Sequence, residues 1–333
     1  MKKKFNLKML LPVFGAAAVY LIAYVAITQG LMSRSMQSLL IRMCYSAVLA
    51  VSLNLVVGFL GELSLGHAGF YALGAYAGCI FAVNTNFPIV IKFIGGVLIG
   101  GGVAAIGGFL ISGSILRLRG DYLAIVTLAF GEIIRSFAKI LPFTGGTKGL
   151  TGVPSFATKL QAFTWAYIVL LITIIVVHNL VNSRHGRAIT AIRDNSIVVE
   201  SIGIEIGKFK MKVFAIAAFF AGAAGVIFGF YKTIVEPGDF TYNVSIEVLV
   251  MVVLGGMGNI LGSVIAACII VLLPEFLRGA DQYRMPISAI ALIAMMLANA
   301  SPTVARAKEA VSCKVSVFKT NIMNKLKKSD KKE

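Results

Sequence analysis

Residues 246–262 read IEVLVMVVLGGMGNILG, and the fold turns on how that run is divided. From Ile246 to Met257 the stretch is apolar apart from Glu247, but it falls short of the roughly 20 positions a helix needs to cross a bilayer. The sequence then runs through Gly255, Gly256, Met257, Gly258 and Asn259 before a second apolar stretch continues to 277. Glycine frees the backbone and weakens a helix interior, so a break is expected here. Length alone leaves 246–277 as either one long helix or two pieces.

Outward from this run the chain repeats one theme. Apolar stretches occupy about 7–29, 36–60, 63–83, 88–116, 121–141, 162–181, 211–232 and 285–300. The 333 residues are 58% hydrophobic and 14% charged, with a mean hydropathy of +0.88, where a typical soluble domain carries about 25% charged residues. This composition excludes a soluble enzyme, a secreted disulfide scaffold and a disordered chain. The longest polar stretches, 182–210 and the tail from 302, are too short to hold a sizeable soluble domain. Any chemistry the protein serves is therefore done inside the membrane or by another chain. Cys44, Cys79, Cys268 and Cys313 show no framework spacing, and three lie in apolar stretches, as small buried residues do.

Charge decides the division of 246–277. Lys2, Lys3, Lys4 and Lys8 precede the first apolar stretch, and nine Lys or Arg lie between Arg306 and Lys332. The positive-inside rule places both termini in the cytoplasm, which requires an even number of crossings, so the run is split and ten spans are counted. The cytoplasmic segments then hold 21 Lys or Arg, including six within 184–212, against five outside: Arg34, Lys148, Lys159, Arg278 and Arg284. The net charge of +17 is thus read as orientation and not as a nucleic-acid surface, which would mix basic and aromatic residues on a polar face. The first stretch has two readings, a retained helix or a signal peptide with a site at Ala16–Ala18; its run to Thr28 exceeds a signal core and favours the helix.

Several segments carry candidate working residues. In the loop 182–210, Asp194, Asn195 and Ser196 are candidate N-caps for a short helix over Ile197–Ile202, which Gly203 can end in a left-handed conformation. Apolar Ile197, Val198, Val199 and Ile202 are odd in a solvated linker; they face a partner or fold back on the chain's own helices. In GELSLGHAGFYALGAYAG (61–78), small residues at helical spacing permit close helix approach. His67 within it serves a pathway or hydrogen-bonds a neighbouring helix. In RLRGDYLAIVTLAFGEIIR (117–135), Asp121 suits a helix start, and Glu132 and Arg135 share a face and can pair, with or without a functional role. PFTGGTKGLTGVPSF (142–156) reads as an irregular outer loop, a connector or an entrance. Glu247 sits at the start of its half-span, where the helix dipole alone accounts for it, and the Gly255–Gly256 break either lines a pathway or serves tight packing. No phosphate-binding loop or clustered metal signature is present: GGTKG at 145–149 lacks the spacing of a nucleotide site.

The runs LSLGHAGFYALGAY, LRGDYLAIVTLAFGEIIR, TGGTKGLTGVP, GRAITAIRDNSIVVESIGI and SIEVLVMVVLGGMGNILG together resemble the permease subunits of bacterial branched-chain amino-acid ABC importers, of the M type, in colinear order from about 36 to 300. The resemblance implies an all-α polytopic protein of about ten transmembrane helices, one of them short or broken, in the bacterial cytoplasmic (inner) membrane. It implies a transmembrane domain over 1–300 followed by a basic cytoplasmic tail, 301–333, that binds anionic lipid or only sets orientation. It implies a second related permease, two ATP-binding subunits that hold the ATP and Mg, and an extracytoplasmic substrate-binding protein; this chain itself has no cofactor and no catalytic residues. The family's coupling helix matches Ser196, Ile197, Val198, Val199, Glu200, Ser201, Ile202 and Gly203, with Val198 and Val199 bulkier than the alanines often found there. His67, Glu132, Arg135, Glu247, Gly255 and Gly256 are the pathway or gating candidates. Leucine, isoleucine and valine are the substrates it implies, with urea, short amides or another small polar solute as alternatives. The rival class is an ion-coupled secondary transporter, against which the shortage of acidic residues in the spans weighs.

Overall fold

The structure, a computed structural model, describes residues 20–21, 23–25, 27–29, 32–115, 120–276 and 293. The chain forms two compact units, Met1–Leu272 and Leu273–Glu333, and the described residues lie almost wholly in the first. The apolar stretch expected at 285–300, the boundary expected at 300 and the basic tail fall outside them, as does most of the first stretch.

The described elements are helices. Ser33 caps α1 (Arg34–Asn54), its hydroxyl accepting from the Met36 amide at 3.4 Å, and α1 widens into a π-helix over Leu55–Leu60 that stops at left-handed Gly61. Residues 61–66 are not helical, so the span expected to begin at 63 begins at His67. There follow α2 (His67–Asn84), α3 (Ile89–Ile115), α4 (Asp121–Ile140) and α5 (Lys159–Asn182). The polar loop folds as two short helices, α6 (Arg184–Asp194) and α7 (Ser196–Ser201), ahead of α8 (Ile206–Lys232). The first of these was not anticipated, because its mostly polar face masks the inward Ile189 and Ile192.

The run 246–262 divides as expected into α9 (Tyr242–Gly255) and α10 (Ile260–Phe276). Gly256 and Gly258 take positive φ of 89° and 81° between them. Asn259 closes the turn, its side-chain oxygen accepting from the Gly262 amide at 3.1 Å. A Cβ on Gly255 would lie 2.5 Å from the backbone of Gly262, so the two helices leave the turn in backbone contact. Arg34–Leu60, Ile89–Gly113, Lys159–Asn182 and Ile206–Lys232 are long and apolar enough to cross a membrane, and α9 and α10 are shorter apolar helices.

Helices α2, α3 and α8 pack against one another most extensively, and small residues explain why. A Cβ on Gly74 of α2 would overlap the backbone of Gly222 of α8; on Gly100 of α3 it would lie 2.5 Å from the Gly74 carbonyl; on Gly222 it would lie 2.6 Å from Ala104 Cβ. Lipid offers no hydrophobic drive to associate apolar helices, so close backbone approach supplies the dispersion contacts instead. Helix α1 lies against α5, α8 and α9, and its stretch Ser46–Leu60 is buried throughout. Beside it Tyr20 stacks on Phe163 at 6.0 Å and its hydroxyl meets that of Thr164 at 3.0 Å. Among the described residues the one β-bridge, Leu150 to Val235, pins the loop after α4 to the segment after α8.

Gly222→Leu is expected to abolish a monodisperse folded peak for the detergent-purified protein. Gly102→Leu, at a position where a Cβ meets nothing within 4 Å, leaves it intact. Equal behaviour of the two variants in size-exclusion chromatography would refute the glycine seam.

Candidate coupling face and the charged pair among the helices

The stub α7 is fixed at both ends by its own sequence. The Asn195 side chain accepts from the amides of Ile197 (3.1 Å) and Val198 (3.2 Å), which satisfies two of the free donors at the helix start. At the other end Gly203, at φ 82°, donates to the Glu200 carbonyl (3.0 Å) and Ile204 to that of Val199 (3.3 Å). These paired bonds are those of a glycine-terminated helix. The two readings of the stub's apolar residues divide between them. Val199 is buried, whereas Ile197, Val198 and Ile202 are 73%, 54% and 68% exposed. Glu200 and Ser201 are exposed beside them, and Ser196 opens the helix.

Helix α6 ties this stub to the bundle. Ile189 and Ile192 are buried, and the Arg193 guanidinium donates to the Gly58 carbonyl at 2.9 Å. A Cβ on Gly61 would lie 2.5 Å from the Arg193 side chain, so that glycine leaves room for the arginine stem. The same guanidinium pairs with Asp194 at 3.0 Å.

One turn above Gly58, buried Asn54 accepts from the Gly258 amide (2.9 Å) and donates to the Ser263 hydroxyl (3.0 Å). The polar loop, the π-helical end of α1 and the turn between α9 and α10 thus meet through hydrogen bonds of two side chains. Glu62 pairs with Lys210 at the same end of the bundle. Gly255 and Gly256 of the predicted break lie at this meeting point and not in mid-bundle. Neither Asn54 nor Arg193 was singled out from the sequence. A π-helix following a buried asparagine leaves little trace in hydropathy, and Arg193 reads as one more basic residue of a cytoplasmic loop.

The other predicted residues fall elsewhere. His67 opens α2, is buried, and meets the Ser52 hydroxyl at 2.8 Å. With the Ser52 proton donated to the Leu49 carbonyl (2.9 Å), the ring N–H donates to Ser52, so His67 joins α2 to α1. Glu132 and Arg135 pair at 2.9 Å, and Glu132 also accepts from the Tyr242 amide at 3.2 Å, which positions the start of α9. Because α9 begins at Tyr242, Glu247 lies in its second turn; the dipole explanation for that carboxylate is withdrawn, as the effect fades beyond the first turn. Glu247 is exposed, and it interacts electrostatically with Arg42 of α1, a residue that nothing in its own sequence neighbourhood marks out. At the end of the bundle remote from α7, Lys232 joins Asp239 (2.7 Å) and Glu236 (3.5 Å).

Residues 35–300 match the family described as branched-chain amino acid transport system / permease component. The chain belongs to this family. It is 34% identical over 281 residues to the high-affinity branched-chain amino acid transport system permease protein LivM of Escherichia coli and, equally, to that of Salmonella typhimurium; the match covers 75% of this chain and 65% of each relative. The chain thus spans just under two thirds of the length of these curated relatives. It is 26% identical over 272 residues to the ribose import permease protein RbsC of Haemophilus influenzae, covering 76% of this chain and 81% of that one. No solved structure matches it. Family and apolar helices together make this a multi-pass membrane protein.

The Glu62–Lys210 pair has side chains only 14% and 11% exposed, and stranding one member of a buried pair costs about 3–5 kcal/mol. Glu62→Lys or Lys210→Glu alone is expected to lower the apparent Tm of the purified protein by several degrees, and the double exchange to recover most of the loss. Additive losses in the double variant would show that the two side chains do not stabilise each other.

Proposed function

We propose that the chain is one permease subunit of an ATP-driven, binding-protein-dependent importer of leucine, isoleucine and valine in the bacterial inner membrane. In this reading it has about ten spans with both termini cytoplasmic, pairs with a second related permease, and sits on two ATP-binding subunits that hold ATP and Mg. A binding protein delivers substrate on the outer side. The likeness to the LivM relatives supports the substrate; the observation that carries the mechanism is the capped stub α7, which leaves Ile197, Val198 and Ile202 exposed. An apolar side chain left in water forgoes about 1.5–3 kcal/mol that a partner's cleft would return. Among the described residues nothing covers these three, and the neighbouring ATPase is the occupant that the family implies.

The work of ATP closure then has a defined route. A push on α7 reaches α6, since Asn195 ends one helix and caps the next. Arg193 hands the displacement to the Gly58 carbonyl, and Asn54 hands it to the turn at Gly258. Helices α1, α9 and α10 move as a group against the glycine-packed seam of α2, α3 and α8, and the substrate path alternates between the two faces. Packed elements switch between discrete arrangements more readily than they deform, which makes hydrogen-bonded joints effective levers.

Two sets of variants test this reading. Gly203→Val forces a β-branched residue into a left-handed conformation, and Glu200→Lys reverses charge on the exposed stub. Both are expected to leave membrane insertion normal while reducing transport-coupled ATP hydrolysis of the reconstituted complex, and normal coupled turnover in both would remove the docking assignment. Arg193→Ala is expected to keep the ATPase bound yet raise the ATP hydrolysed per substrate imported severalfold. An unchanged stoichiometry would place the lever elsewhere.

A further inference from the structure

From Gln37 to Leu60, one residue is exposed, and it is Arg42. That is an uncommon place for a guanidinium, about 12 Å along an apolar helix from Arg34 at its start. Helix α9 packs beside α1, and both end at the Asn54–Gly258 joint, so they run the same way. At 1.5 Å per residue, Arg42 stands about 18 Å from Asn54, and Glu247 about 12 Å from Gly255, where α9 gives way to the turn that reaches Gly258, so the two lie within about a helical turn of one level. The two charges interact electrostatically, and Tyr45 stands three residues beyond Arg42, on the same side of α1. Glu247 is the one charged residue of α9, and it too is exposed.

An ion pair that serves only the fold would be turned into the bundle, as Glu62 and Lys210 are. Arg42 and Glu247 are instead exposed on apolar helices, where a charge that faces lipid is costly, and a second permease over this face would enclose them in a polar passage. Behind the pair lies an aromatic wall: the Tyr45 ring packs 5.7 Å from Phe228, edge on, and 6.5 Å from Tyr71. The guanidinium carries five donors in a planar fork that suits a carboxylate, and a carboxylate suits an ammonium. Opposite charges near one level beside an apolar wall are complementary to an α-amino acid with an aliphatic side chain.

We propose that Arg42 and Glu247 form a substrate-recognition pair on the translocation path, Arg42 receiving the α-carboxylate and Glu247 the α-ammonium of an amino-acid zwitterion. The assignment rests on the importer function above and adds to it the residues in this chain that recognise what is carried. A neutral solute such as a sugar would have no use for either charge.

The test is uptake of radiolabelled leucine by the complete importer in proteoliposomes. Arg42→Gln and Glu247→Gln are each expected to lower leucine uptake about tenfold or more, the scale of one lost charge-assisted hydrogen bond, with yield of the assembled complex unchanged. Arg42→Lys, which keeps the charge and loses the fork, raises KM for leucine with kcat little altered. The exchanged variant, Arg42→Glu with Glu247→Arg, stays impaired because the zwitterion arrives in one orientation. Leucine uptake restored by the exchange would show a structural ion pair and overturn the proposal, as would undiminished uptake in both glutamine variants or, if those fail to assemble, an unchanged KM in Arg42→Lys. Each of these outcomes overturns the pair while wild-type leucine import stands; a wild-type complex that imports ribose and no amino acid would overturn the pair and the importer's substrate together.

Discussion

Apolar helices in a bilayer gain nothing by leaving lipid for one another, so the bundle depends on how closely its backbones approach. At Gly74, Gly100 and Gly222 that approach leaves no room for a Cβ on any of three helices at once. The consequence is a rigid body of α2, α3 and α8, because contact between main chains cannot be relaxed by changing a rotamer. In the proposed transport cycle, what moves would have to move relative to this body. The polar contacts found on it are accordingly few and placed at its margins: Leu65 of the non-helical segment donates to Thr127 of α4 at 3.0 Å, and Ala68 donates to Ser245 of α9 at 2.9 Å.

The joint at Asn54 has the opposite character. Its partners are a turn amide, a hydroxyl and, one turn away, a carbonyl held by Arg193, each bound through a side chain that can release and rebind. The π-helix between Leu55 and Leu60 contributes, since its wider turn places the Gly58 carbonyl where a side chain from α6 reaches it. Such insertions recur at functional positions in helices for this reason. On the proposed reading, a packed seam on one side and hydrogen-bonded joints on the other would act as a frame and a lever, with α7 at the lever's free end.

How far the sequence anticipates this arrangement depends on which interaction a residue uses. The helices are legible because hydrophobic length is a one-dimensional signal, and the break between α9 and α10 because three glycines in four positions have few other uses. The stub α7 is legible through local chemistry, a capping asparagine and a terminating glycine eight residues apart. The joint is not, because Asn54, Gly58, Arg193, Gly258 and Ser263 come from segments more than 200 residues apart at the extremes and none is unusual in its own neighbourhood. Helix α6 escapes for a related reason: its apolar residues are too few to mark a span and too scattered to stand out from a basic loop. Glu247 is legible as a charge but not as a partner, since only the common end of α1 and α9 sets it near the level of Arg42.

The placement of charge separates what this chain completes alone from what it leaves to others. Glu62–Lys210 and Lys232–Asp239 are closed within the chain near the two ends of α8, and Glu132–Arg135 is closed within α4 against the start of α9. Arg42 and Glu247 lie open on apolar helices, and Ile197, Val198 and Ile202 lie in the polar loop and open. A guanidinium and a carboxylate exposed among apolar helices, and three aliphatic side chains exposed in a polar loop, are each in the wrong solvent for an isolated protein. The two mismatches have opposite sign, and the proposed assembly would correct both: a second membrane subunit would enclose a polar passage over the first, and a soluble subunit would cover the second with an apolar cleft. On that reading the two surfaces mark the sides on which the rest of the assembly must fit.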